Sequence, residues 1–188
     1  MNTYARITTI TGAALLAGAM LSSPAMSAEV DLKLHTLVPP VANPVKTFLQ
    51  PWADKIGKAS NGRIKITIYP SMQLGGKPPQ LTDQVKDGVV DIVWTLPGYN
   101  AGRFPKTEVF ELPFLHTTPQ ATTMAMQDFA AKHLKDEYKD YHVLLLHVHG
   151  GSLIMSKTKA VTKFSDMNGM KVRAATRTGA WYLQSVGA

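Results

Sequence analysis

Alternation of apolar and polar positions marks three short strands in the first half of the chain. Apolar side chains occupy every second position at 30–36 and at 63–69, and a third apolar run, rich in valine and isoleucine, covers 89–94. A period of two is that of an extended strand with one face buried. The sequence therefore predicts strands at these three places.

Helical spacing separates the three strands. The first intervening segment repeats large apolar residues three or four positions apart and stops at the Ser-Asn-Gly of 60–62. The second is opened by Pro78 and Pro79, presents Leu81 and Val85 on its inner face, and ends at Gly88. The apolar positions of the first helix are Phe48, Leu49, Trp52 and Ile56. Strands that alternate with helices predict βαβ units and a largely parallel sheet, an α/β fold.

The second half of the chain begins with an irregular loop at 96–105, which is rich in glycine, proline and aromatic residues. A helix is predicted from Thr118 and Pro119 to about residue 135, with a buried face. That face comprises Met124, Met126 or Phe129, and Leu134. Strands are predicted at 141–147, 153–156 and 170–172, and a last helix begins near Thr178. The glycine pair at 150–151 is interpreted as the crossover between two lobes.

Residues 1–27 have the features of an export signal. Arg6 precedes an apolar stretch at 7–21, and Ala25 and Ser27 supply the small residues that a signal peptidase reads. The stretch is short and only mildly apolar for a membrane span. We therefore predict a cleaved signal peptide and an exported mature chain.

Composition narrows the function further. The chain has no cysteine, which excludes a disulfide scaffold and thiol chemistry. Its formal net charge is +7, but the lysines are scattered through amphipathic segments. The pattern thus argues against nucleic-acid binding and suits an anionic small molecule.

Several motifs, taken in order, resemble one family. They are GRIKITIYPSMQL with a following glycine at 62–75, QVKDG at 84–88, VDI at 90–92, VFELPFL at 109–115, MNGMKVR at 167–173 and QSVGA at 184–188. This order is similar to the solute-binding subunits of tripartite ATP-independent periplasmic (TRAP) transporters, the dicarboxylate-type DctP-like receptors. Each motif alone is loose, whereas several in register are specific.

The resemblance implies an α/β, type II periplasmic-binding-protein fold that closes on an organic acid without performing chemistry and without a cofactor. Members deliver their ligand to membrane permease subunits driven by an ion gradient. We expect a first lobe at 28–149, and an incomplete second lobe at 150–188, because family members continue beyond this point. The full-length protein is expected to be a monomer.

Arg173 is the central candidate for the ligand site. From the residues alone it is either a surface arginine of a basic protein or an anion holder where a strand end faces a helix start. The resemblance favours the second role, because the arginine of the Lys-Val-Arg position would clamp the ligand carboxylate.

The remaining candidates describe the walls of that site. Positions that are polar in family members accepting heavily hydroxylated acids hold Leu37 and Leu96, and Ser152 stands where such members have a second arginine. Trp94 is either a ligand contact or core packing at a strand end, and Tyr99 lies in the irregular loop. One cation with apolar or aromatic walls predicts a small monocarboxylate, either aromatic or branched.

Two other function classes stay open at this point. A secreted α/β enzyme acting on a carboxylate would need a cluster of catalytic residues, and a ligand-sensing module would need a fused partner domain. His147 and His149 have a spacing seen in metal sites, but buried or corner histidines explain them better without a third ligand.

Overall fold

The computed structural model describes residues 28–157 and 159–188; the signal peptide predicted at 1–27 lies outside them. The strands are β1 (Val30–Thr36), β2 (Ile64–Tyr69) and β3 (Ile92–Trp94). The α-helices are α1 (Gln50–Ala59), α2 (Leu81–Lys86), α3 (Pro119–His133) and α4 (Arg177–Ser185). A π-helical turn covers Val45–Leu49, and 3-10 turns cover Pro78–Gln80, Pro97–Tyr99, Thr107–Glu111 and Phe164–Met167.

The three strands form one parallel sheet in the order β2-β1-β3. Val30 pairs with Ile64, and Leu34 pairs with Ile92. This topology confirms the predicted α/β fold with βαβ crossovers. β3 is shorter than predicted because the backbone N–H groups of Val89 and Val90 donate to Gln84 at the end of α2 and are not available to the sheet.

An apolar core joins one face of the sheet to the first helical segment. Leu34 of β1 packs with Val45 and Leu49, and all three are buried. Partly buried apolar side chains surround this cluster: Val38, Trp52, Ile66, Ile68, Ile92 and Trp94. The alternation that predicted the strands thus places every second side chain against the helix.

The opposite face of β1 carries a buried histidine. The side chain of His35 has no exposed surface, and its Nδ1 lies 2.7 Å from Oε1 of Gln84. Its Nε2 accepts the backbone N–H of Leu74 at 3.3 Å, which leaves the ring proton on Nδ1 to donate to Gln84. Gln84 in turn donates to the carbonyl of Gly75. His35 therefore anchors the turn at 74–76 and α2 to the sheet.

Helix α3 follows its predicted course. Thr118 caps it by accepting the backbone N–H of Ala121 at 3.1 Å, and Met126 and Leu134 are buried. Met124 was expected among the buried positions, but it is 71% exposed, because the buried stripe of the helix runs through Thr122 and Met126.

Three predicted strands are wrong. Segments 141–147, 153–156 and 170–172 belong to no strand, although the apolar run at 141–147 has the composition of one. A strand needs a neighbour that pairs with its backbone, and the pairs of the described sheet join β1 to β2 and β3 alone. In the described part of the chain, no helix is long and apolar enough to cross a membrane.

Candidate functional site at the carboxyl end of the sheet

A hollow of about 290 Å³ lies where β1 and β3 end and the first helical segment begins. Six residues line it: Asn43, Pro44, Phe48, Trp94, Leu145 and His147. In open α/β sheets, ligands bind outside the carboxyl ends of the parallel strands. The hollow occupies that position, which makes it the candidate binding surface of the described fold.

The end of β3 supplies the main wall of the hollow. Trp94 stacks on His147 with ring centroids 5.8 Å apart and an angle of 20° between the planes. Its indole Nε1–H donates to Nε2 of His147 at 3.1 Å. The hydroxyl of Thr36 donates to the carbonyl of Trp94 at 2.9 Å, which fixes the end of β3 to the end of β1. The tryptophan is therefore held in place by both neighbours.

The chemistry of the lining is mainly apolar. Phe48, Trp94 and Leu145 offer carbon surface, and Asn43 and His147 add two polar side chains without a carboxylate or an ammonium group. Such a surface can hold the flat body of an aromatic ligand, while a carboxylate would have to find its cation elsewhere.

The structure places the predicted site residues at several positions. Trp94 lines the hollow, and the other five do not. Leu37 is half-buried directly after β1, whereas Leu96 and Tyr99 are half-buried in the loop that follows β3. Ser152 and Arg173 are exposed. Within the described residues, Arg173 takes part in no ion pair.

Local contacts order the segment that bears Arg173. The carboxylate of Asp166 accepts hydrogen bonds from the backbone N–H groups of Thr162 and Lys163 and from the Thr162 hydroxyl. These bonds, led by that from the Thr162 backbone, hold the pKa of Asp166 below its usual value. On the other side of Arg173, Thr176 caps α4 by accepting the backbone N–H of Gly179. The helix starts at Arg177, one residue before the predicted position.

Sequence reasoning missed most of the hollow's lining. Phe48 was predicted as one of the apolar positions of the first helix, but it is 40% exposed and lines the hollow together with Trp94 and His147. Asn43 and Pro44 precede the first helical segment, and helix starts lie at the carboxyl edge of a parallel sheet. That rule could have indicated both residues. In the described part of the chain, no group of three or more histidine or acidic side chains could hold a metal ion.

Comparisons with known proteins agree with this architecture. Residues 35–188 match the family of bacterial extracellular solute-binding proteins, family 7, named DctP. A TRAP solute-binding protein from a marine metagenome, specific for aromatic acid ligands and crystallised with 3-hydroxybenzoate, is 49% identical with a TM-score of 0.83. That match covers 86% of this chain and 51% of the other.

Two further relatives extend the comparison. A TRAP solute-binding protein from Rhodoferax ferrireducens, solved with copurified benzoate, is 47% identical with a TM-score of 0.82 over 84% of this chain and 49% of its own. A protein of Comamonas testosteroni named outer membrane transporter protein TsaT is 28% identical over 100% of this chain and 54% of its own length. The chain thus spans about half the length of these relatives, and it belongs to the DctP family of bacterial extracellular solute-binding proteins.

Proposed function

We propose that this chain is a ligand-capturing portion of a TRAP receptor for a small aromatic monocarboxylate. The observation that carries the proposal is the aromatic hollow at the carboxyl end of the sheet, bounded by Phe48 and Trp94. Relatives that are nearly half identical to the chain were solved with benzoate and 3-hydroxybenzoate. The size and apolar character of the hollow fit a single aromatic ring.

Arg173 supplies the charge that the hollow lacks. In this proposal its guanidinium clamps the ligand carboxylate through two charge-assisted hydrogen bonds, while Trp94 and Phe48 cover the ring. Leu37, Leu96, Tyr99 and Ser152 belong to the walls that surround the ligand when the receptor closes. Arg173 is exposed and takes part in none of the ion pairs among the described residues, so its guanidinium is not already bound to an acidic side chain of that part of the chain.

The two-lobe organisation belongs to the same proposal. Residues 28–149, which contain the whole sheet, form the first lobe, and residues 150–188 begin the second. The ligand is captured in the periplasm and delivered to the TRAP permease subunits in the membrane, and the complete receptor acts as a monomer. The family is one of transport receptors, which disfavours the secreted enzyme and the sensing module as alternatives.

Ligand binding by the purified chain tests the proposal. Isothermal calorimetry with benzoate, 3-hydroxybenzoate and mandelate is compared with succinate as a dicarboxylate and acetate as a carboxylate without a ring. We expect the aromatic monocarboxylates to bind most tightly. A preference for succinate would contradict the single-cation site, and equal binding of acetate and benzoate would contradict the aromatic wall.

A further inference from the structure

A buried glutamate ties the start of α4 to the loop that follows β3. The side chain of Glu108, in the 3-10 turn Thr107–Glu111, is 7% exposed. Its Oε2 accepts Nε of Arg177 at 2.8 Å and lies 2.6 Å from Nη2 of the same side chain. Its Oε1 accepts the backbone N–H of Gly102 at 2.7 Å. Both carboxylate oxygens of Glu108 are thus engaged, and residues 69 positions apart are joined.

A second glutamate repeats the connection one turn away. Oε2 of Glu111 accepts the hydroxyl of Thr178 at 2.7 Å, and that hydroxyl lies 3.0 Å from the hydroxyl of the capping residue Thr176. A Cβ added to Gly98 would lie 1.8 Å from Oε1 of Glu111 and 2.7 Å from the methyl group of Thr176. A side chain at position 98 would therefore displace the Glu111 carboxylate or Thr176, the capping residue of α4.

The 3-10 turn that carries both glutamates is itself anchored on the other side. Glu137, after α3, accepts the backbone N–H groups of Lys106 and Thr107 at 2.7 and 3.0 Å. It also accepts the Thr107 hydroxyl at 2.5 Å. These bonds hold the first turn of the 3-10 segment, so the turn can serve as a fixed platform for α4.

We propose that Glu108 and Glu111 are positioning residues that hold α4, and with it the segment bearing Arg173, against the loop after β3. Their bonds to Arg177 and Thr178 are called here the acidic clasp. Arg173 lies four residues before Arg177, with the α4 cap between them, so the placement of α4 limits where the guanidinium of Arg173 can reach. The consequence for ligand binding rests on the proposed function, whereas the positioning of the segment does not.

The charges and burial of the clasp favour a specific role over chance contact at a surface. Exposed ion pairs contribute little because water screens both partners. Glu108 is almost fully buried and accepts three N–H donors, so removal of its charge leaves Arg177 without its partner. The carboxylates also face the first turn of α4, where the helix dipole favours negative charge.

Hydrogen exchange of the whole chain tests the clasp without any ligand. We expect Glu108→Gln and Arg177→Met each to accelerate exchange of the amides at 171–186 by about 10- to 100-fold, the effect of losing one charge-assisted bond. The double variant should be no faster than either single variant, because the two side chains act as a pair. Thr178→Val, which removes one neutral bond, should give a smaller acceleration.

The matched control breaks another short ion pair away from α4. Asp140→Asn removes the partner of Lys86, at 2.6 Å, and should leave exchange at 171–186 unchanged. Unchanged exchange in Glu108→Gln, or full additivity in the double variant, would overturn the clasp.

Benzoate affinity, measured on the same variants, tests whether the acidic clasp affects ligand binding. Benzoate affinity should fall in Glu108→Gln and stay constant in Asp140→Asn. Accelerated exchange with unchanged benzoate affinity would overturn the role in placing Arg173. If the parent chain binds no aromatic acid, the proposed ligand class fails, and the exchange result still decides the clasp.

Discussion

The indole N–H of Trp94 donates to the imidazole Nε2 of His147, and the two rings stack at the carboxyl end of the sheet. This contact joins β3 to a segment that belongs to no strand. It holds one side of the aromatic hollow in place, by ring stacking and by a hydrogen bond between the same two side chains. The contact between Trp94 and His147 thus sets the orientation of this wall of the hollow. Backbone pairing within the sheet fixes Trp94, whereas His147 belongs to no strand.

Two replacements of Trp94 separate the effect of its aromatic surface on ligand binding from the effect of its hydrogen bond to His147. Trp94→Ala removes the wall and should weaken benzoate binding by about 1–2 kcal/mol, roughly 5- to 30-fold, while admitting bulkier acids. Trp94→Phe keeps an aromatic surface and lacks only the N–H that donates to His147, so benzoate affinity should fall less in this variant than in Trp94→Ala. Calorimetry with benzoate and mandelate measures the affinities of the parent and the two variants and checks this order. Equal affinity of the parent and Trp94→Ala would show that the tryptophan is a core residue and does not touch the ligand.

Arg173 should contribute more to benzoate affinity than Trp94 does. Its removal leaves the carboxylate in a site without a cation, and Arg173→Ala should cost roughly 2–5 kcal/mol, or about 30-fold to several thousandfold in affinity for benzoate. Arg173→Lys should restore part of the loss, because an ammonium group cannot reproduce the two parallel bonds of a guanidinium.

The control for this measurement is a second basic residue outside the proposed site. Lys65 forms an exposed ion pair with Asp31 at the sheet, and Lys65→Ala should leave benzoate affinity unchanged. An equal loss in Lys65→Ala and Arg173→Ala would indicate a general effect of positive charge and contradict the clamp.

The buried histidine His35 predicts an effect on stability. His35→Ala removes the partner of Gln84 and of the Leu74 backbone and leaves a cavity in place of a fully buried ring. We expect the free energy of unfolding to fall by about 2–4 kcal/mol. His142 is exposed, so His142→Ala should change it by less than about 0.5 kcal/mol. Urea unfolding followed by circular dichroism compares them, and equal stability of the two variants would contradict the anchoring role of His35.

The elements that the sequence predicted correctly are those decided by local periodicity. The alternation at 30–36 gives β1 with the predicted bounds, and Thr118 before Pro119 gives the cap and first turn of α3. The apolar run at 141–147 also has a high strand propensity. A strand requires a neighbouring strand as well, and no local pattern shows whether one is present. Its leucines 144 and 145 are exposed by 59% and 47%.

The candidate site was predictable to a smaller extent. Trp94 ends a recognisable strand, so its place at the carboxyl edge followed from the strand pattern. The contact with His147 and the clasp between Glu108 and Arg177 join residues 53 and 69 positions apart. Such contacts depend on how the segments pack, which spacing along the chain does not record.

The pKa of Tyr138 predicts a loss of stability at alkaline pH. Burial raises the pKa of the Tyr138 phenol to about 12, while its ring stacks on Phe104 at 4.9 Å and its hydroxyl lies 3.1 Å from that of Thr107. Since the folded-state pKa exceeds the unfolded value of 10.0, the stabilisation is fully present below the unfolded value and is lost as the pH rises through the folded one. A shift of this size corresponds to about 2–3 kcal/mol.

Tyr138→Phe isolates this effect from the other groups that titrate in the same range, including Tyr141, whose pKa burial also raises. Urea unfolding over a series of alkaline pH values should show the parent losing about 2 kcal/mol more than Tyr138→Phe between about pH 10 and 12, because the variant has no phenol to ionise. Ultraviolet absorbance of the folded parent should show one tyrosine that ionises late and is missing from the variant. Parallel loss of stability in both proteins would mean that the Tyr138 phenol ionises as freely in the folded chain as in the unfolded one.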